Sequence, residues 1–290
     1  MMRLCYVEDS KTVFKRKITK IFANAFLWIM AFFCIFPFIL LVINASRSNA
    51  QLQGGFSLIP RGHFFTNLAN AWNDTSINMG RGLINSFFIA SMNALLTTYF
   101  SIMTAYAIHV YDFKGRKYIR GFILAIMMIP TQVSTVGFVQ LVNEFGLTNN
   151  YLPLIIPSIA SPLTFFYMIQ YMKSALPIEL IEAARVDGSN EFKTFNKIAI
   201  PIMKPAMAVQ AIFAFVGSWN NYFLPALLIS EGDKKTLPVM IAVLRAAANS
   251  EDYDLGKIYM FVLISILPVI LVYLILSKQI IKGVSEGAVK

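Results

Sequence analysis

The feature that most constrains this chain is the recurrence of apolar runs about twenty residues long, the length a helix needs to cross a bilayer. Six stretches qualify, at about 21–43, 83–109, 119–141, 151–172, 205–230 and 258–276. A backbone in lipid has no water to bond, so such runs predict helices that satisfy their own hydrogen bonds. They are too long for strands and lack period-2 alternation. Pro130, Pro157, Pro162 and Pro225 lie inside the third, fourth and fifth runs and predict kinks there. Composition agrees: of 290 residues 57% are hydrophobic and 14% charged, with a mean hydropathy of +0.62. A soluble core of this size could not bury that surplus. A disordered chain is excluded for lack of polarity. Two cysteines, Cys5 and Cys34, cannot make a disulfide scaffold. The expected fold class is all-α, a polytopic membrane protein forming one transmembrane domain over 1–290.

Six crossings would put both ends of the chain on one side, and the distribution of Lys and Arg says which. Residues 1–20, 110–120, 173–204 and 277–290 hold 18 of them in 77 residues. Residues 44–82, 142–150 and 231–257 hold 7 in 75. The first set is therefore expected to be cytoplasmic, with both termini. The net charge of +10 thus reads as an orientation signal, and no nucleic-acid partner is expected. The first run is longer than the apolar part of a signal peptide and no small-residue cleavage site follows it, so it reads as a retained anchor.

The loop at 173–204 is long and patterned. Pro177 suits a first helical turn, and Glu179 and Glu182 suit a helix N-terminus. Gly188 supplies the positive φ that ends a helix. Ser189 or Asn190 can cap a second helix, which Pro201 and Pro205 are expected to stop before the fifth span. Ile178, Ile181 and Ala184 fall on one face. A short capped helix of this kind can dock on a partner or lie against lipid headgroups.

Glu182-Ala183-Ala184, Asp187-Gly188, then Phe195, Ile198, Pro201 and Pro205 closely resemble the cytoplasmic "EAA" loop of binding-protein-dependent ABC importer permeases. The usual form is E-A-A-x-x-D-G followed by I-x-L-P-x-x-x-P, and here Ile200 stands for the leucine. Asn85-Ser86, Ala105-Tyr106-Ala107, Phe113-Lys114-Gly115-Arg116, the segment Trp219–Pro225 and the tail Lys282–Lys290 are similar to the carbohydrate (maltose-type) permeases, particularly the smaller subunit. The resemblance implies the type I ABC importer permease fold in a bacterial cytoplasmic membrane. It implies import of a sugar or oligosaccharide by alternating access, alongside a second permease subunit, two ATP-binding subunits and an extracytoplasmic binding protein. The coupling residues it implies are Glu182, Ala183, Ala184, Asp187 and Gly188, which would seat in the ATP-hydrolysing subunit.

This chain itself carries no phosphate-binding G-x-x-x-x-G-K-[ST]: its one Gly-Lys pair, Gly256-Lys257, is followed by Ile258. ATP and Mg would belong to the partner ATPase, and no cofactor, metal or catalytic residue is expected here. Ionisable groups lie almost wholly in loops, which argues against proton relays and voltage sensing. Asn85, Asn93, Trp219, Asn220, Asn221 and Tyr222 are candidates to line a sugar path; Ser, Asn and Trp at such positions equally serve packing between helices. The last external loop, 231–257, contains a short apolar run at Leu237–Leu244 and the acids Glu251, Asp252 and Asp254. It would either reach a binding protein or lie as an interfacial helix. Alternatives to sugar import are another solute such as glycerol phosphate or, in a different class, an ATPase-independent carrier or pore.

Overall fold

The computed structural model describes residues 10–75, 77–247 and 253–287. Arg3, Cys5, Glu251, Asp252 and the last three residues of the tail lie outside them. Every element among the described residues is helical. The chain divides into two units, one of Met1–Ala69 with Asp254–Leu263, the other of Asn70–Tyr253 with Ile264–Lys290.

The first unit is built on α1 (Ser10–Ala45), which contains Pro37. Phe22, Trp28 and Phe33 are all more than 60% exposed, and a helix apolar on every side is suited to lipid rather than water. Cys34 is a free thiol on it. Its C-terminal end is tied down by polar contacts. Asn67, in α3 (Phe64–Trp72), donates its amide to the carbonyls of Ala45 at 2.8 Å and Arg47 at 2.9 Å. Buried Arg47 donates to the carbonyls of Gln51 and Gly55. Between them Ser48 and Gln51 cap α2 (Asn49–Gln53) reciprocally. Gly256 abuts Asn67 so closely that a Cβ there would lie 2.7 Å from the amide nitrogen.

The second unit is organised around α4 (Met79–Val110), which spans the second apolar run unbroken. It is followed by α5 (Arg116–Ile126) and α6 (Thr131–Glu144), then α7 (Leu152–Ile155) and α8 (Pro162–Ala175). The chain continues through α9 (Ile178–Val186), α10 (Glu191–Thr194), α11 (Ile200–Trp219), α12 (Phe223–Leu228) and α13 (Leu237–Ala246). α14 (Leu255–Gly287) covers the sixth run. α8 and α11 pack on α4, and Ile102, Tyr106, Phe165, Met168, Met172 and Met203 fill the seam between them.

Among the described residues, five helices are long and apolar enough to cross a membrane. The third run, expected at 119–141, is broken at Met127–Pro130 into α5 and α6. Pro130 has no N–H to donate and forces the residue before it out of helical geometry. The backbone closes instead with three short bonds, Met127 to Leu124, Met128 to Ala125 and Ile129 to Ile126. Pro157 likewise sits in a 3₁₀ turn between α7 and α8, and Pro162 starts α8. In the fifth run the interruption falls at Asn220–Tyr222, ahead of Pro225, which lies inside α12.

The expected stop at Pro201 and Pro205 does not occur. α10 runs into α11 through a π turn at Phe195–Ala199, and Pro205 lies inside α11. The wide turn has its i→i+5 bond from Ile200 N–H to the Phe195 carbonyl. It loosens the ladder one residue before Pro201, where a regular α turn would set the proline ring against the Lys197 carbonyl.

Candidate coupling helix and pathway residues

α9 is ended as its sequence dictates. Pro177 is the N-cap, in extended geometry, rather than a residue of the first turn. At the other end Gly188 adopts φ 77°. Its N–H donates to the Arg185 carbonyl, and Ser189 N–H reaches back to Ala184, at 3.0 and 2.9 Å. This double closure needs a left-handed residue after the last turn, which glycine supplies without a Cβ penalty. The Asn190 side chain then caps α10 by accepting from Lys193 N–H at 2.8 Å, so of the two candidate caps the asparagine is used.

Ile181 and Ala184 turn inward and are buried. Ile178, expected on the same face, is 40% exposed because it sits in the first turn. Glu182, Ala183, Asp187 and Gly188 face outward. Ala184, named as a coupling residue with them, is 5% exposed and packs into its own chain, so its methyl is not part of the outward surface. No atom lies within 4 Å of where a Cβ on Gly188 would stand. The outward surface therefore places small and acidic residues beside exposed Val186.

A polar cluster fixes this surface to the end of α4. Glu191 accepts from Arg185 Nε at 2.7 Å through one oxygen. Its other oxygen accepts from the hydroxyls of Tyr111 at 2.6 Å and Tyr106 at 3.3 Å. The Arg185 guanidinium also lies 5.5 Å from the Tyr111 ring centroid, within cation–π range. Burial first, and then the bond to Glu191, push the Tyr111 hydroxyl above its ordinary pKa. Beneath the cluster Tyr106 meets Phe195 edge-on at 5.2 Å. His109 Nε2 lies 3.0 Å from the Leu176 carbonyl, joining the ends of α4 and α8. Sequence reasoning did not single out Arg185, Glu191 or Tyr111. The first two are six residues apart across a turn, a spacing that carries no helical signal.

The pathway candidates separate into two groups. Asn85 gives its amide to the carbonyls of Asp233 at 2.9 Å and Lys235 at 3.1 Å, and buried Asn93 donates to the Ile89 and Leu154 carbonyls and Ser218 Oγ. Trp219 is buried, stacked on Phe215 at 5.7 Å, with Nε1 donating to the Ser265 carbonyl at 3.1 Å. These three are engaged in packing. Asn220, Asn221 and Tyr222 are exposed at the break between α11 and α12. There Asn221 accepts from Leu224 N–H at 3.4 Å, closing α12.

The short apolar run of the 231–257 loop forms α13. Its buried face of Leu237, Val239, Met240 and Leu244 packs on the start of α4. Ser86 Oγ accepts from Leu237 N–H at 2.8 Å. Gly82 leaves room for Met240, whose sulfur would be 2.4 Å from a Cβ there. α13 is thus folded onto its own chain. The tail Gly283–Gly287 spells G-x-S-x-G, but it continues α14 rather than turning from a strand into a helix, so it is not a nucleophile elbow.

The family described as binding-protein-dependent transport system inner membrane component matches residues 98–286. The chain is 33% identical over 268 residues to the arabinooligosaccharides transport system permease protein AraQ of Halalkalibacterium halodurans, covering 90% of this chain and 93% of that one. It is 30% identical over 265 residues to the trehalose/maltose transport system permease protein MalG of Thermococcus litoralis, covering 90% and 94%. In fold it resembles a chain of a bacterial ABC transporter involved in the import of the acidic polysaccharide alginate. The TM-score is 0.77 at 23% identity, over 91% of this chain and 97% of that one. The chain therefore belongs to the binding-protein-dependent transport system inner membrane components, and is a permease subunit of an ABC import system held in the inner membrane.

Proposed function

We propose that this chain is one permease half of an importer that carries a sugar or oligosaccharide into the cytoplasm by alternating access. The observation that carries the reading is α9: a short helix capped at Gly188, presenting Glu182, Ala183, Asp187 and Gly188 outward and backed by buried Ile181 and Ala184. Exposed small residues let a partner backbone approach closely, and Glu182 can accept charge-assisted bonds from a basic cleft. The partner in contact with α9 would be one of two ATP-hydrolysing subunits, with a second permease completing the pair and an external binding protein delivering the solute. Closure of the ATPase pair would bias the permease between inward- and outward-facing states through that contact.

The chain would cross the membrane six times with both ends cytoplasmic, the third crossing made of α5 and α6 together. The permease relatives named for arabinooligosaccharides and trehalose/maltose support a sugar as solute. Asn220, Asn221 and Tyr222, exposed where α11 gives way to α12, are the candidate sugar contacts: amides bond hydroxyls and an aromatic face stacks on sugar C–H surfaces. The test is reconstitution with the co-purified ATPase and binding protein across a panel of sugars and glycerol phosphate. Ligand-stimulated ATP hydrolysis with a sugar supports the proposal; stimulation by glycerol phosphate alone would replace the solute. Transport by the chain without any ATPase would overturn the reading.

A further inference from the structure

We propose that the cavity where α4 ends and α5 begins binds a phosphate group, carried by an anionic phospholipid or free in the cytoplasm. The cavity has a volume of about 440 Å³. Four cations line it: Arg116, Lys117 and Arg120 from α5, and Lys173 from the last turn of α8. Its acidic lining residue is Asp112, whose side chain is fully exposed and stands 3.9 Å from Arg116. An ion pair of that kind contributes little in water. Arg116 and Arg120 meanwhile repel the Lys173 ammonium.

Two further features point to an anion. Gly115, in left-handed geometry at the N-cap of α5, offers no side-chain cap and lines the cavity with Arg116 and Lys117, which brings the positive end of that helix to its edge. Two guanidiniums sit beside it, and their forked donors match phosphate oxygens two at a time. Converging like charges raise the energy of the empty site, and a bound anion relieves it. Ile108 and Ile169 also line the cavity, and apolar side chains suit the start of a lipid's acyl chains. A neutral sugar has no use for four cations, and none of the candidate sugar contacts Asn220, Asn221 and Tyr222 lines the cavity.

The inference rests on the cytoplasmic placement of the 110–120 segment proposed above. Its test uses the purified, delipidated chain, exchanged into bilayers of phosphatidylcholine alone or mixed with phosphatidylglycerol. Bound lipid is then counted by native mass spectrometry. The wild type is expected to retain phosphatidylglycerol over phosphatidylcholine. Lys117→Gln and Arg120→Gln should each weaken retention about fivefold, the effect of removing one interfacial cation. Lys114→Gln, on the same loop but outside the cavity lining, should leave it unchanged. Protection by inorganic phosphate with no lipid preference would assign the site to a free phosphate. Equal losses from Lys114→Gln and Lys117→Gln, or a wild type with neither a lipid preference nor protection by inorganic phosphate, would overturn the proposal. If Arg120→Gln does not accumulate, Lys117→Gln carries the measurement, since its side chain is exposed. Retention is read without transport: a chain that holds the lipid but imports nothing sinks the transport reading alone, and the converse sinks only this site.

Discussion

Gly188 closes α9 and, in the proposed function, stands on the surface that docks the ATPase. Its φ of 77° closes α9, and the space around it is empty. An L-residue there costs about 1–2 kcal/mol of backbone strain, too little to unfold the chain. Gly188→Asp is therefore expected to abolish uptake while the protein remains in the membrane at normal abundance, because the new carboxylate would occupy the docking surface; parallel uptake assays and membrane immunoblots check this. Glu191 acts at one remove. Losing charge-assisted bonds costs about 1.5–3 kcal/mol each when shielded and less when exposed, and this carboxylate is half-exposed. Glu191→Gln keeps an acceptor for Tyr111 but loses the ion pair with Arg185. It is expected to lower the solute carried per ATP hydrolysed without lowering ATP hydrolysis itself, whereas Glu191→Asp should restore part of that ratio. An unchanged ratio in Glu191→Gln would mean the cluster only packs.

At the scale of elements, breaks and caps decide what the apolar pattern could not. Residues 83–109 and 258–276 were legible as helices because nothing interrupts their bonding pattern, apart from Pro268, which α14 accommodates. The third run was not legible as two helices. Hydropathy is blind to a missing N–H, and Pro130 lies in the middle of continuously apolar sequence. The packing of α13 on α4 was hidden for another reason: the cleft that admits Met240 is created by Gly82, more than 150 residues away in sequence. The same logic yields a stability test in the first unit. A methyl at Gly256, in the first turn of α14, would gain less than the roughly 1 kcal/mol of helix propensity it would bring in a helix interior. It would also displace Asn67 from two carbonyls, and leaving buried acceptors unpaired costs about 1–3 kcal/mol each. Gly256→Ala is thus expected to lower the thermal midpoint of the purified chain, as is Asn67→Ala, and the double variant should be no worse than Asn67→Ala alone.

For the molecule as a whole, the Lys and Arg imbalance makes a topology that can be measured. Reporter fusions after Lys114, Asn190 and Ser277 should report the cytoplasm, and those after Ile59, Gly146 and Lys235 the exterior. If the third run failed to cross, the fusions from Gly146 onward would reverse sides. The EAA-like loop was legible because its fixed residues are fixed by local geometry, a glycine at positive φ and a cap. The sugar path was not, since an asparagine in a span looks the same whether it faces solute or a neighbouring carbonyl. Asn93 turned out to bond two carbonyls and a serine.

The π turn at Phe195–Ala199 has a consequence for lineage as well as for packing. It holds one residue more than an α turn, and each residue advances a helix by about 100°. Deleting a single residue there, with Pro201→Ala to remove the ring that a regular α turn would set against the carbonyl four residues back, would let the segment anneal into a plain α-helix while every later residue of α11 kept its neighbours. The same deletion a few positions downstream would rotate the rest of α11 away from α4. In a related chain that lacks the proline, a one-residue gap is therefore tolerable at this turn without altering the packing of α11 on α4.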